Sequence, residues 1–176
     1  SLNYVLQFSL FAFLPSLAIA IFSLILFNVG LQKYFDNKIT SAVNNSYEVA
    51  QNYISETKQS VNADVFLVAV DLNRYSGILF SNPNRVKKSI RAQKLLRRLD
   101  EIYLLDSSGT ILLGDTNNPE TDFKLPTEEE FDKALDGKPV SIVGSGEDKT
   151  AVMLRLNNFI DTYLYISRDI QPQLLQ

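Results

Sequence analysis

The sequence predicts an α+β fold: an N-terminal transmembrane helix continues into a long helix packed on an antiparallel sheet of about five strands. Three observations predict it. Residues 4–30 are an almost unbroken apolar run, residues 31–73 carry apolar side chains at steps of three and four, and residues 101–167 break into short apolar stretches separated by turn formers.

The apolar run (YVLQFSLFAFLPSLAIAIFSLILFNVG) exceeds the roughly 20 residues a helix needs to cross about 30 Å of hydrocarbon. No Asp, Glu, Lys or Arg occurs in the first 32 residues, and all 17 basic and 20 acidic residues follow. A signal peptide has a shorter apolar core, a basic start and a small-residue cleavage site, and a buried core helix is the other alternative. Pro15 stands mid-span, where membrane helices tolerate it. Lys33, Asp36 and Lys38 mark the exit into water. The chain opens on serine and is read as cut from a longer protein, so the positive-inside comparison lacks one flank and leaves orientation open.

The long helix that follows, with its domain placed at 33–74 after the 1–32 span, presents two seams. Phe35, Ile39, Ala42, Ser46, Val49 and Tyr53 form one, a candidate dimer contact; Val43, Tyr47, Ala50, Ile54 and Val61 form its neighbour. One seam pairs with a partner chain while the other covers the sheet, or both make a single core-facing stripe. Unbroken, the helix rises about 60 Å at about 1.5 Å per residue. Residues 65–72 (VFLVAVDL) are its most apolar part and are expected to pack against the sheet.

Gly77, Asn82, Pro83 and Asn84 interrupt the helix at the start of a sensor-sized domain, 75–170. A basic helix over 86–99 follows, with Ile90, Leu95, Leu96 and Leu99 as its buried side and a cationic face read as solvated or as touching anionic headgroups. The strand 101–106 turns through Ser107, Ser108 and Gly109 into 110–113, with Asp106 bonding the turn amides and Gly109 free to take positive φ. Thr127 and Glu130 form a capping box that starts a short helix, and Gly137 stops it. Strands at 140–143, 150–156 and 160–167 complete the series, the last alternating Tyr163 and Tyr165 with Leu164 and Ile166 as if one face were buried. Residues 171–176 are read as the start of a linker to a second span.

Composition excludes several chemistries. The chain has no Cys and no His, which removes thiolate and imidazole metal sites, disulfides and His-based acid–base catalysis. A net charge of −3 argues against nucleic acid as a partner. No phosphate-binding loop, dinucleotide fingerprint, nucleophile elbow or metalloprotease motif is present, so no catalytic residue, metal site or cofactor is assigned to this chain. The cluster Glu128, Glu129 and Glu130 opposes the dipole of the helix it begins.

Recognition remains. Arg155 and Arg168, on or beside neighbouring strands, with Tyr103, Tyr163 and Tyr165 as walls, suit a small anionic ligand: a guanidinium fork for a carboxylate or phosphate, and phenol rings with an apolar face. The alternative has the tyrosines in the core and the arginines paired with Asp161 or Asp169.

Five stretches carry a resemblance. The span FSLFAFLPSLAIAIFSLILFNVGLQKYF, the helix segment SYEVAQNYISE and its end VNADVFLVAVDLNR resemble the N-terminal region of NtrY-type sensor histidine kinases. EIYLLDSSGTIL is similar to the central hairpin of Cache and PAS-like sensors, and YLYISRDIQPQLL to the end of such a sensor before a second membrane helix. The resemblance implies a PAS/Cache-like extracytoplasmic sensor in the bacterial inner membrane, homodimeric and anchored in lipid. It further implies a downstream kinase module that uses ATP and Mg and a response regulator of the NtrX type. It transfers no ligand residue. A ligand-free dimerisation spacer, or the sensor of a chemoreceptor or cyclase, are the alternatives.

Overall fold

The computed structural model describes residues 2–120, 123–146 and 148–170; the expected linker at 171–176 lies outside them. The chain divides into two compact units, Ser1–Val49 and Ala50–Gln176.

In the first unit, α1 (Leu2–Ile25) runs through Pro15. The Ser16 hydroxyl donates to the Phe13 carbonyl at 2.9 Å. A π-helical turn, Leu26–Leu31, holds Asn28 and Gly30, both poor helix formers, and hands over to α2 (Gln32–Asn73). Residues 3–73 form the one helical run among the described residues that is long and apolar enough to cross a membrane, with mean hydropathy 2.5 in its most apolar window. Every residue whose burial is described from 3 to 49 is exposed. A helix this apolar with no protein around it calls for an apolar surrounding.

In the second unit, the remainder of α2 has one buried stripe: Ala50, Thr57, Val61, Val65, Val68, Ala69 and Leu72. Thr57 keeps its hydroxyl satisfied by donating to the Tyr53 carbonyl at 2.8 Å. The alternative of a single core-facing stripe along the whole helix is thereby corrected, because burial begins only at Ala50. Of residues 65–72, Val65, Val68, Ala69 and Leu72 pack inward as expected, while Phe66, Leu67 and Val70 face out.

The basic helix, α3 (Pro83–Leu96), starts on Asn82, whose side chain accepts from the Arg85 amide at 3.3 Å with Pro83 in the first turn. Its buried side is Val86, Ile90 and Lys94. Leu95 and Leu96, expected inside, are 65% and 74% exposed. Two facts explain the correction. The helix stops at Leu96 and Arg98 turns at φ +53, which brings Leu99 inward instead. Lys94 is buried because its ammonium meets Asp115 at 2.8 Å and Asn117 at 2.6 Å.

Five strands form one antiparallel sheet in the order β2-β1-β5-β4-β3. They are β1 (Glu101–Leu105), β2 (Ile111–Thr116), β3 (Val140–Ser141), β4 (Lys149–Arg155) and β5 (Tyr163–Asp169). The β1–β2 turn is built as its residues predict: Asp106 Oδ1 accepts from the amides of Ser108 and Thr110 at 2.9 Å each, and Gly109 has φ +83. These bonds, the Ser108 hydroxyl first, hold the Asp106 carboxyl below the usual range. The short helix α4 (Glu128–Ala134) has its capping box in both directions, with Thr127 Oγ1 accepting from the Glu130 amide and Glu130 Oε2 from the Thr127 amide. Gly137 follows at φ +72. The strand expected over 140–143 is only two residues long and gives way to a 3-10 turn at Val143–Ser145.

Alternate side chains of the sheet enter two cores. Ile102, Leu104, Val152, Leu154, Leu164 and Ile166 pack with α2 and α3 in an aliphatic layer. Tyr103, Leu105, Ala151, Met153, Tyr163 and Tyr165 pack with Phe131 and Ala134 of α4 on the opposite side. The single buried face expected of β5 is therefore two buried faces, because helices cover both sides.

Candidate functional site

Sheet register sets the geometry around the tyrosines. Tyr103 on β1 stands opposite Tyr165 on β5, and Tyr163 stands opposite Arg155 on β4. Cross-strand partners share a face, so these four candidate residues lie on the α4 side. Phe123 closes over them, 4.6 Å from the Tyr103 ring and 4.9 Å from the Tyr165 ring, edge-on to the latter. Phe131 of α4 meets Tyr163 edge-on at 5.0 Å. Burial pushes both the Tyr103 and Tyr165 phenols above their ordinary range, so both stay protonated and neutral near pH 7. Gly114 lies beside Tyr103 because a side chain there would overlap its ring.

Next to the aromatic cluster is a buried polar pair. Glu101, 3% exposed, accepts from Lys149 at 3.0 Å and from the Ser167 hydroxyl at 2.7 Å. Neither this pair nor Phe123 was singled out from the sequence. The parity of residues 101 and 103 along β1 is the signal that places Glu101 on the tyrosine face, whereas Phe123 lies outside any strand or helix, where no periodicity marks it.

The two arginines are not brought together. Arg155 is at the rim, its guanidinium donating to the Leu135 carbonyl at 3.5 Å. Arg168 lies opposite Thr150 and five residues beyond Tyr163, an odd step that turns it to the other face. There it donates to the Arg98 carbonyl (3.2 Å), Ser60 Oγ (3.0 Å), Asp64 Oδ2 (2.8 Å) and the Arg97 carbonyl (2.6 Å). Its acidic partner is Asp64 on α2, not Asp161 or Asp169; Asp161 instead accepts from Ser107. Asp64 also pairs with Arg97 at 3.4 Å, so Arg168 fastens β5 to α2 and to the α3–β1 junction.

Among the candidate dimer residues, Phe35, Ile39, Ala42, Ser46 and Val49 are exposed, and Tyr53 is half-buried. Ser46 donates within its own helix to the Ala42 carbonyl at 2.9 Å. Among the described residues no group of three or more acidic side chains is placed to hold a metal ion.

Comparison with known proteins places this architecture. The sheet and its helices superpose on the sensory domain of the Campylobacter jejuni chemoreceptor Tlp3 with a TM-score of 0.50 at 13% identity, covering 74% of this chain and 62% of that one. The ligand-binding domain of Tlp3 in complex with L-valine gives 0.50 at 12% identity, over 78% and 65%. At that identity the likeness is one of fold. In sequence, the chain is 30% identical over 172 residues to a Rickettsia felis protein named as an NtrY-like sensor histidine kinase, covering 97% of this chain and 28% of that protein. It is 24% identical over 168 residues to the nitrogen regulation protein NtrY of Azorhizobium caulinodans, covering 96% and 22%. The chain thus spans between a fifth and a third of the length of these relatives. The family model described as the NtrY N-terminal region matches residues 2–176, and the chain belongs to that family.

Proposed function

We propose that this chain is the membrane-anchored sensor segment of an NtrY-type sensor histidine kinase, detecting a signal outside the cytoplasm and passing it through its helices to a kinase module. The observation that carries the reading is the family match over residues 2–176, in a chain whose apolar helix leads without a sequence gap into the helix that covers the sheet. On this reading the protein is a homodimer in the bacterial inner membrane. The exposed residues Phe35, Ile39, Ala42, Ser46 and Val49 face the second copy. ATP and Mg serve the kinase module, and a response regulator of the NtrX type receives the phosphoryl group.

Transmission through α2 is tested by inserting residues after Asn45 in the full-length kinase in nanodiscs and measuring autophosphorylation. A two-residue insertion turns everything beyond it by about 200° and is expected to uncouple or lock the output, while a seven-residue insertion restores the face and the activity. Equal activity in both would exclude transmission along this helix.

Two features favour a second reading, a ligand-free spacer: Phe123 seals the tyrosine face, and Arg168 has its donors occupied within the chain. With no Trp and eight Tyr in the chain, tyrosine fluorescence distinguishes the two. A small anionic ligand on the tyrosine face changes the emission on titration and loses its effect in Arg155→Gln. An emission that stays flat across carboxylate and phosphate probes favours the spacer.

A further inference from the structure

Residues 61–72 of α2 are apolar on two opposite sides. Inward, Val61, Val65, Val68, Ala69 and Leu72 are buried in the aliphatic core. Outward, Ala63, Phe66, Leu67 and Val70 are all exposed, the last three by 47%, 50% and 59%. At about 100° per residue, Ala63 and Val70 lie within about 20° of each other, and the outward four centre about half a turn from Val65 and Leu72. Along one flank between the two sides, the polar residues are engaged within the domain: Asp64 with Arg97 and Arg168, and Asp71 with the Gln93 amide. No charged residue interrupts the outward side between Glu56 and Arg74. A helix that is apolar all round is a helix covered all round, so the outward side calls for a cover.

Spacing points to what that cover is. The candidate dimer seam Phe35, Ile39, Ala42, Ser46, Val49 and Tyr53 advances by alternating steps of four and three. Carried on without a break, the same steps pass Glu56 and Ser60 and reach Ala63, Leu67 and Val70. An average step of about 3.5 residues is the period at which two helices keep one seam in contact by supercoiling. The outward four alone fall short of the about 800 Å² per partner that a stable interface takes, whereas joined to the stalk positions the repeat runs from residue 35 to residue 70. A second copy is the partner that offers this same repeat at the same height. With an apolar span at the head of each helix, two copies stand side by side and parallel in one membrane, and a two-fold axis sets each residue opposite itself. Glu56 and Arg74 then meet their own copies, and like charges close the contact at both ends.

We propose that a second copy of this chain packs on the outward side of α2 at Ala63, Phe66, Leu67 and Val70, so that the two sensor domains meet helix to helix. The interface rests on the homodimer reading above and extends it from the stalk into the folded domain. Each α2 has its own sheet on one side and its twin on the other.

The chain has no Cys, so single cysteines report contact without background. The whole chain is placed at high dilution in phosphatidylcholine vesicles and oxidised briefly with copper phenanthroline. Ala63→Cys, Leu67→Cys and Val70→Cys are expected to form disulfide-linked dimers at least about tenfold faster than two exposed controls, Lys58→Cys on another side of α2 and Lys88→Cys on α3. Leu67→Glu sets like charges against each other and is expected to slow linkage through Val70→Cys at least about tenfold. Melting curves check that each variant is folded; all five positions are exposed, so the core is untouched. Linkage through Ala42→Cys and Val49→Cys with none through residues 63, 67 and 70 overturns the domain contact and leaves the stalk homodimer standing. Equal rates at the seam and at the controls mark random collision and overturn it too. No linkage at any position overturns the contact and the homodimer together.

Discussion

The two faces of the sheet are built from the same strands and differ in almost every other respect. On one, Leu164 and Ile166 of β5 meet aliphatic side chains from α2 and α3. On the other, Tyr163 and Tyr165 meet rings and a seven-residue helix, with Phe123 contributed by a loop. Long helices over an aliphatic layer make a rigid mount, whereas a short helix and a loop over rings and a buried ion pair uncover at a lower energy cost. Local opening is therefore expected on the second face before the first.

The largest test of that contrast is Leu104→Ala on the fully buried aliphatic face, expected to cost about 2–5 kcal/mol in urea denaturation. A cost near zero would mean that this face is not the mount. Gly114→Ala comes next, at about 1–3 kcal/mol, because the added methyl meets the Tyr103 ring and the Ile102 carbonyl; denaturation with intact secondary structure by circular dichroism would locate the damage in packing. Thr127→Ala removes the cap of α4 and should cost about 1 kcal/mol. Hydrogen exchange sharpens that comparison: amides of α4 are expected to lose protection while those of α3 keep theirs, and equal loss in both would erase the distinction.

The smallest effect is expected at the end of β5. The Asp169 carboxyl is raised above 3.8, so the folded chain holds that proton more tightly than the unfolded one. Ionisation therefore removes stability as pH rises through 3.8 toward the folded value, and the full cost is present above it. Asp169→Asn should melt slightly above the parent chain at pH 7, with the gap closing as pH falls below 3.8. A lower melting temperature at neutral pH would show that the carboxylate has a stabilising partner.

Local chemistry was legible in the sequence and long-range pairing was not. The Asp106 turn, the Thr127–Glu130 box and the inward half of residues 65–72 follow from short spacings, and all three form as read. Lys94 is buried because of Asp115 and Asn117, more than twenty residues away, and helical periodicity carries no trace of such partners. Leu95 and Leu96 were misread for the related reason that the helix ends beneath them. Of the four residues on the tyrosine face, Tyr163 and Tyr165 were recoverable as a pair, since parity along β5 places them together. Arg168 separates from Tyr163 by an odd step along the same strand, so that difference was legible too; the registers are needed only to bring Tyr103 and Arg155 onto the face of Tyr163 and Tyr165.

Strand order carries a consequence for biosynthesis. β5, last in order among the five described strands, sits at the middle of the sheet between β1 and β4, and its contact with β1 joins Glu101 to Ser167, 66 positions apart. Until a ribosome has released that final strand, β1 pairs only with β2 and β4 only with β3, leaving two ribbons with open inner edges. The nascent domain thus completes its sheet in one late step, and a product truncated before Tyr163 would present both edges to other chains and to chaperones.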